Sequence, residues 1–159
     1  MEFAMNHLSM YILSGMSFAG KSVLAREISR AKHVEIIDPD EVAHERRLGL
    51  HGEFLSDAVW CDILKQLYDT TAFNKEQRDH LREIARACGA TPIVIIVSIE
   101  REEAFKRWQE NTLSRQRALV HIEDFQMCAD AFTFPGEDEE YLVYHADEES
   151  SLWIKNNLW

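Results

Sequence analysis

Gly15-Met16-Ser17-Phe18-Ala19-Gly20-Lys21-Ser22 fits the pattern G-x-x-x-x-G-K-[ST], and the reading of the whole chain turns on it. Glycines in such a stretch let the backbone turn tightly and bring successive N–H groups inward, toward an anion. Where the stretch opens a helix, the helix dipole and its unpaired first N–H groups favour a phosphate at the same place. Lys21 then reaches the outer phosphates of a nucleotide, and the Ser22 hydroxyl is a ligand for Mg²⁺. Gly15, Ser17, Ala19, Gly20 and Val23 complete the candidate cradle with Lys21 and Ser22.

The flanks supply the context that the pattern needs. Met10-Tyr11-Ile12-Leu13 is a short apolar run of strand type, and Val23, Leu24, Ile28 and Ala31 then recur at helical spacing. Strand, loop and helix follow in order. Phe18 stands where such loops often carry glycine, which predicts a weaker hold on the nucleotide.

The 159 residues suffice for one domain with a substantial core, and the 46% of hydrophobic residues argues against wholesale disorder. A formal net charge of −11 disfavours a general nucleic-acid or anionic-membrane binder, both of which want a basic surface. The three cysteines, Cys61, Cys88 and Cys128, show no C-x-x-C spacing, which reads as a reduced, cytoplasmic protein with buried thiols. No stretch has the apolar length of a membrane span. Residues 1–9 read as an extension before the first strand, and residues 1–159 as a single domain.

Further along, Val34-Glu35-Ile36-Ile37 reads as a second strand and Asp38-Pro39-Asp40-Glu41 as a helix start. A helix is expected from Ser56 to about Gln66, and another from Lys75 to Ala87 with Leu81, Ile84, Ala85 and Cys88 turned inward and Gly89 as its left-handed cap. Pro92 to Val97 is apolar throughout, the pattern of a central parallel strand covered on both faces. Helices are expected over Glu102–Glu110 and Ile122–Phe132, a solvated acidic turn over Glu137–Glu140, a last strand over Tyr141–Tyr144, and a docked segment at Leu152-Trp153-Ile154. Strands alternating with helices imply an α/β fold with a mostly parallel sheet flanked by helices. The seven histidines form no recognised metal-ligand motif. Asn74-Lys75-Glu76-Gln77 lacks the acid that a guanine-reading N-K-x-D requires.

In the order of these motifs, from about Tyr11 to Tyr144, the chain resembles the small P-loop kinases related to polynucleotide 5′-kinases, zeta toxins, gluconate kinases and chloramphenicol phosphotransferase. The resemblance implies ATP and Mg²⁺ as cofactors and an acceptor hydroxyl as substrate. Asp38-Pro39-Asp40-Glu41-Val42 is similar to the family's S-x-D-E-[IV], which puts Asp40 in the role of base; Ala43 stands where many relatives have an arginine. Asp69-Thr70-Thr71, followed by Asn74 and Arg78, looks like the family's D-x-T stretch, with Asp69 approaching Mg²⁺ through water or orienting substrate; equally, Asn74 caps an ordinary helix. Arg107, Arg115 and Arg117 are the candidates for the arginines that close over the triphosphate, with Arg115 or Arg117 preferred.

The chain departs from the family at Lys65-Gln66-Leu67-Tyr68-Asp69, where the glycine turn and most of the third strand are missing. Three arrangements fit: a stub strand at Leu67–Asp69, a sheet that closes up without it, or a second chain covering the gap in a homodimer. The function expected is transfer of the γ-phosphoryl group of ATP to an acceptor hydroxyl, on a small molecule in preference to a nucleic-acid 5′ end. The alternative is a degenerate, non-catalytic ATP-binding module.

Overall fold

The computed structural model describes residues 8–34, 36, 72–117 and 119–158. Numbering elements among these residues, the chain runs β1 (Ser9–Ser14), α1 (Lys21–Lys32), α2 (Lys75–Ala87), β2 (Thr91–Ser98), α3 (Arg101–Ser114), α4 (Ile122–Ala131), β3 (Leu142–His145) and α5 (Ser150–Asn157). Among the described residues the fold is the expected α/β one, a parallel sheet flanked by helices as in P-loop NTPases, and its last strand, β3, is short. The strand order is β1-β2-β3; Ile12 pairs with Val94, and Val97 with Tyr144.

The apolar run of β2 is explained by its two covered faces. Ile95 and Val97 point into a core shared with Leu24 and Ile28 of α1 and with Trp153 and Ile154 of α5. Val94 and Ile96 point the other way, onto Leu81 and Ile84 of α2. Alternation along one strand feeds two cores, so no position between them tolerates a polar side chain. A third cluster, built on Phe18, Ala104, Phe125 and Ala129, joins the stretch after β1 to α3 and α4.

The local chemistry of α1 and α2 sets their ends. Asn74 accepts from the Gln77 N–H at 3.0 Å while the Gln77 side chain accepts from the Asn74 N–H at 3.4 Å, a reciprocal capping box. At the other end Gly89 takes φ +74°, its N–H donates to Arg86, and the Ala90 N–H donates to Ala85 at 2.9 Å. That turn directs Cys88 to solvent, so its expected inward placement is corrected; the thiol of Cys88 is exposed and Cys128 is half-buried. In α1 the inner stripe is Leu24 and Ile28, four residues apart, while Val23 and Ala31 fall to the exposed side.

The largest correction concerns the acidic turn. Glu139 is not solvated: it lies buried between Arg78 and Arg82 of α2. Arg78, fully buried, makes a bidentate pair with it, at 2.9 Å from Nε and 2.8 Å from Nη2. The hydrogen bonds from Arg78, then those from Arg82, outweigh burial and hold the Glu139 carboxyl down at about 2. Helix α3 runs on past Glu110 to Ser114, ending at Arg115 in a left-handed conformation, φ +52°. The C-terminal segment docks as expected: Trp153 meets Tyr144 edge-on at 5.4 Å and donates to the Val143 carbonyl at 2.9 Å.

The expected second strand and the helix at Asp38 lie outside the described residues, apart from Val34 and Ile36, as do the helix from Ser56 and the stub at Leu67–Asp69. Where the chain is described again, the Ala72 carbonyl accepts a hydrogen bond from Ser14 Oγ, at the end of β1. No helix among the described residues is long and apolar enough to cross a membrane.

Candidate functional site

Residues 15–20 leave the carboxyl end of β1 and turn into α1 over the top of β2. A β-carbon on Gly15 would lie 2.6 Å from the Val97 carbonyl oxygen, so only glycine lets the loop base rest on the central strand. Gly20 has φ +99° and starts α1 with no side-chain cap. A helix start without a side-chain acceptor leaves its first N–H groups to an anion. Among the other cradle residues, Ala19 is buried with its methyl in the α1 core, Ser17 is half-buried, and Ser22 and Val23 are exposed on the first turn.

Lys21 folds back along the loop, its Nζ donating to the carbonyls of Gly15 at 2.8 Å and Met16 at 2.7 Å. The ring of Phe73, just before α2, lies 6.0 Å from the same ammonium. Burial lowers the Lys21 pKa to about 8; the charge of Arg117 adds to the effect and Cys128 works against it. An anion placed between Lys21 and Arg117 would offset the repulsion between the two cations and favour the charged form of Lys21.

Arg117 comes over the loop because Asn111 holds it there. The Asn111 side chain, buried at the end of α3, accepts from the Arg117 N–H at 2.9 Å and donates to the Arg117 carbonyl at 3.3 Å. The Arg117 guanidinium then sits 4.8 Å from the centroid of the Phe18 ring. Arg107, one of the three arginines considered from sequence, reaches the loop from α3 and donates to the Phe18 carbonyl at 3.2 Å. Arg115 is the C-cap of α3 and its side chain is exposed. Among the described residues, Lys21, Arg107 and Arg117 are thus brought to one loop by hydrogen bonds and a ring contact, and Arg115 is not.

Two residues of the D-x-T resemblance have structural roles. Asn74 is the N-cap of α2, and Arg78 is sealed in the core with Glu139, donating also to the carbonyls of Thr133 at 2.8 Å and Phe73 at 3.3 Å. Asp40 and Asp69 lie outside the described residues. Sequence reasoning missed Asn111; its signal is local, an amide six residues before an arginine at a helix end. Among the described residues no cluster of three or more His, Cys, Asp or Glu side chains is placed to hold a metal ion. Of the two metal ligands expected from sequence, Ser22 is exposed on the first turn of α1 and Asp69 lies outside the described residues.

No family model matches the sequence, and no curated protein matches it. Solved structures do. A gluconokinase from Sinorhizobium meliloti 1021 superposes with a TM-score of 0.60 at 14% identity, over 92% of this chain and 87% of that one. A sugar kinase from Janibacter sp. HTCC2649 gives 0.60 at 16% identity, over 95% and 92%. The Mycobacterium tuberculosis APS kinase, solved with AMPPNP and APS, gives 0.60 at 13% identity, over 94% and 95%. At these identities the likeness is one of fold: a small P-loop kinase fold related to sugar and nucleotide kinases.

Proposed function

We propose that the chain is an ATP-dependent kinase that moves the γ-phosphoryl group to an acceptor hydroxyl. The observation that carries this reading is the convergence of Lys21 and Arg117 on an uncapped helix start at the carboxyl end of a parallel sheet. Ligands of open α/β sheets bind at that end. ATP with Mg²⁺ would supply the phosphoryl group and neutralise its leaving charge. The N–H groups of the loop orient the phosphates, Lys21 turns its ammonium from the loop carbonyls to the outer phosphates, and Arg117 balances charge that develops in transfer. Ser22 offers its hydroxyl to the metal ion. Asp40, assigned from sequence, takes the proton of the acceptor hydroxyl, and Asp69 orients the metal's water shell. An acceptor that is a small molecule suits the acidic surface best.

A specific observation favours the second reading, a nucleotide-binding module without transfer. Arg78, the arginine that follows the D-x-T stretch, is fully buried against Glu139 and cannot reach a substrate. The two readings are separated by calorimetric titration with MgATP, using Lys21→Ala as control, followed by ATP turnover with a panel of hydroxylated metabolites. A kinase binds MgATP, loses binding in Lys21→Ala, and loses turnover but not binding in Asp40→Asn. Binding without turnover for every acceptor, unchanged in Asp40→Asn, would establish the module. No binding by the wild-type chain would overturn both.

A further inference from the structure

Phe18 adopts a left-handed conformation, φ +65°, at the bend of the loop. Glycine takes such a conformation freely; a bulky L residue there is strained and persists only where its surroundings hold it. The surroundings here are specific. The side chain is 7% exposed and lies in the cluster with Ala104 of α3 and with Phe125 and Ala129 of α4. Its ring centroid is 6.3 Å from that of Phe125, which in turn meets Trp108 at 6.1 Å. Its carbonyl accepts from Arg107, and its outer ring face carries the Arg117 guanidinium. One residue therefore meets α3, α4 and the turn that follows α3.

We infer that Phe18 is a positioning residue of the loop: its ring, seated between α3 and α4, fixes the left-handed bend and ties the loop to the segment that carries Arg117. In a loop with glycine at this place the bend forms without an anchor and moves independently of neighbouring helices. Here the same bend is held by a side chain, so loop and Arg117 segment shift together. The functional half of this inference rests on the reading of residues 15–22 as a nucleotide loop; the anchoring half does not.

Amide hydrogen exchange of the full chain tests both halves. Without ligand, the Ala19 and Leu24 amides, which donate to Met16 and Gly20, report on the bend. In Phe18→Gly, which removes strain and anchor together, they are expected to exchange about tenfold faster or more, with β2 amides unchanged. Phe18→Leu, which keeps an apolar plug, should restore much of the protection, and Phe125→Leu, which alters only the socket, should lose part of it. Wild-type exchange rates in both Phe18→Gly and Phe125→Leu would overturn the anchor. With MgATP, wild-type protection should extend from the loop to residues 111–117. In Phe18→Gly it should be confined to the loop, and a glycine variant that still protects 111–117 would overturn the coupling. Absence of any MgATP protection in the wild type would count against the nucleotide reading, while the ligand-free comparison still decides the anchor.

Discussion

Arg117 lies across the ring of Phe18, its guanidinium carbon 4.8 Å from the ring centroid, and from there its charge lowers the pKa of Lys21. Cation and aromatic face attract, which holds a cation near a lysine that repels it. Replacing Arg117 by alanine is expected to weaken MgATP binding about tenfold or more, the loss of a charge-assisted contact, and to raise the Lys21 pKa. Arg115→Ala should leave binding within about twofold, since the loss of an exposed side chain away from the loop has small effects. Calorimetry on the two variants checks the assignment, and equal losses would refute it.

Lys21 titrates at about 8, below its ordinary 10.5. The unfolded chain binds the extra proton between these values, so this group makes stability rise with pH through the window from about 8 to 10.5. Anion binding has the opposite sign, because it needs the ammonium. MgATP affinity should fall as pH climbs past 8, by up to about thirtyfold at pH 9.5, and Lys21→Arg should flatten that dependence even where it weakens binding overall. A flat profile in the wild type would overturn the lowered Lys21 pKa, and the loss of MgATP binding in Lys21→Ala then decides whether Lys21 belongs to the site.

Glu139 is held at about 2 against an ordinary 4.5. Its contribution to stability is complete above pH 4.5 and is lost as pH falls from there toward 2. Glu139→Gln should lower stability by about 3 kcal/mol at neutral pH, because it leaves the Arg78 charge buried and uncompensated, and should flatten the acid limb of the stability curve. Urea unfolding at pH 7 and pH 3.5 measures both effects.

Gly15→Ala puts a methyl carbon where the Val97 carbonyl oxygen leaves 2.6 Å. The loop base must then lift from β2. A destabilisation of about 1–3 kcal/mol is expected, together with loss of MgATP binding out of proportion to it. An alanine variant with wild-type melting temperature and affinity would show that the close approach has no consequence.

What the sequence disclosed best was chemistry that is local. The bounds of α1 and α2 follow from a loop motif, the Asn74 cap and a cap glycine, all within a few residues of the ends they set. The strand at Pro92–Val97 was legible because burial on both faces leaves only one pattern. Glu139 was misread because its partner is far away in sequence: an acidic turn next to glycine looks solvated until Arg78 is seen beside it. The arginines could not be sorted from sequence for a similar reason. Their order along α3 does not say which of them Asn111 turns back over the loop, and it takes the fold to bring Arg107 and Arg117 to Phe18. Cys88 was misplaced by a single residue, since helical spacing counts it inward while the cap turns it out. Asp40 and Asp69 lie outside the described residues and stand on sequence alone.

The pair between Arg78 and Glu139 also bears on how the chain assembles. The two residues stand 61 positions apart, and among the described residues the other ion pair of Glu139 is with Arg82, which also meets the exposed Asp79. A half-docked state, with α2 on the sheet and the 133–140 segment still loose, would trap a guanidinium in apolar surroundings. Such intermediates are penalised, so α2 and β3 are expected to open in native-state exchange as one cooperative unit with one free energy. The ion pair is thus a lock on assembly order: it denies the sheet any stable form in which its far strand has yet to arrive.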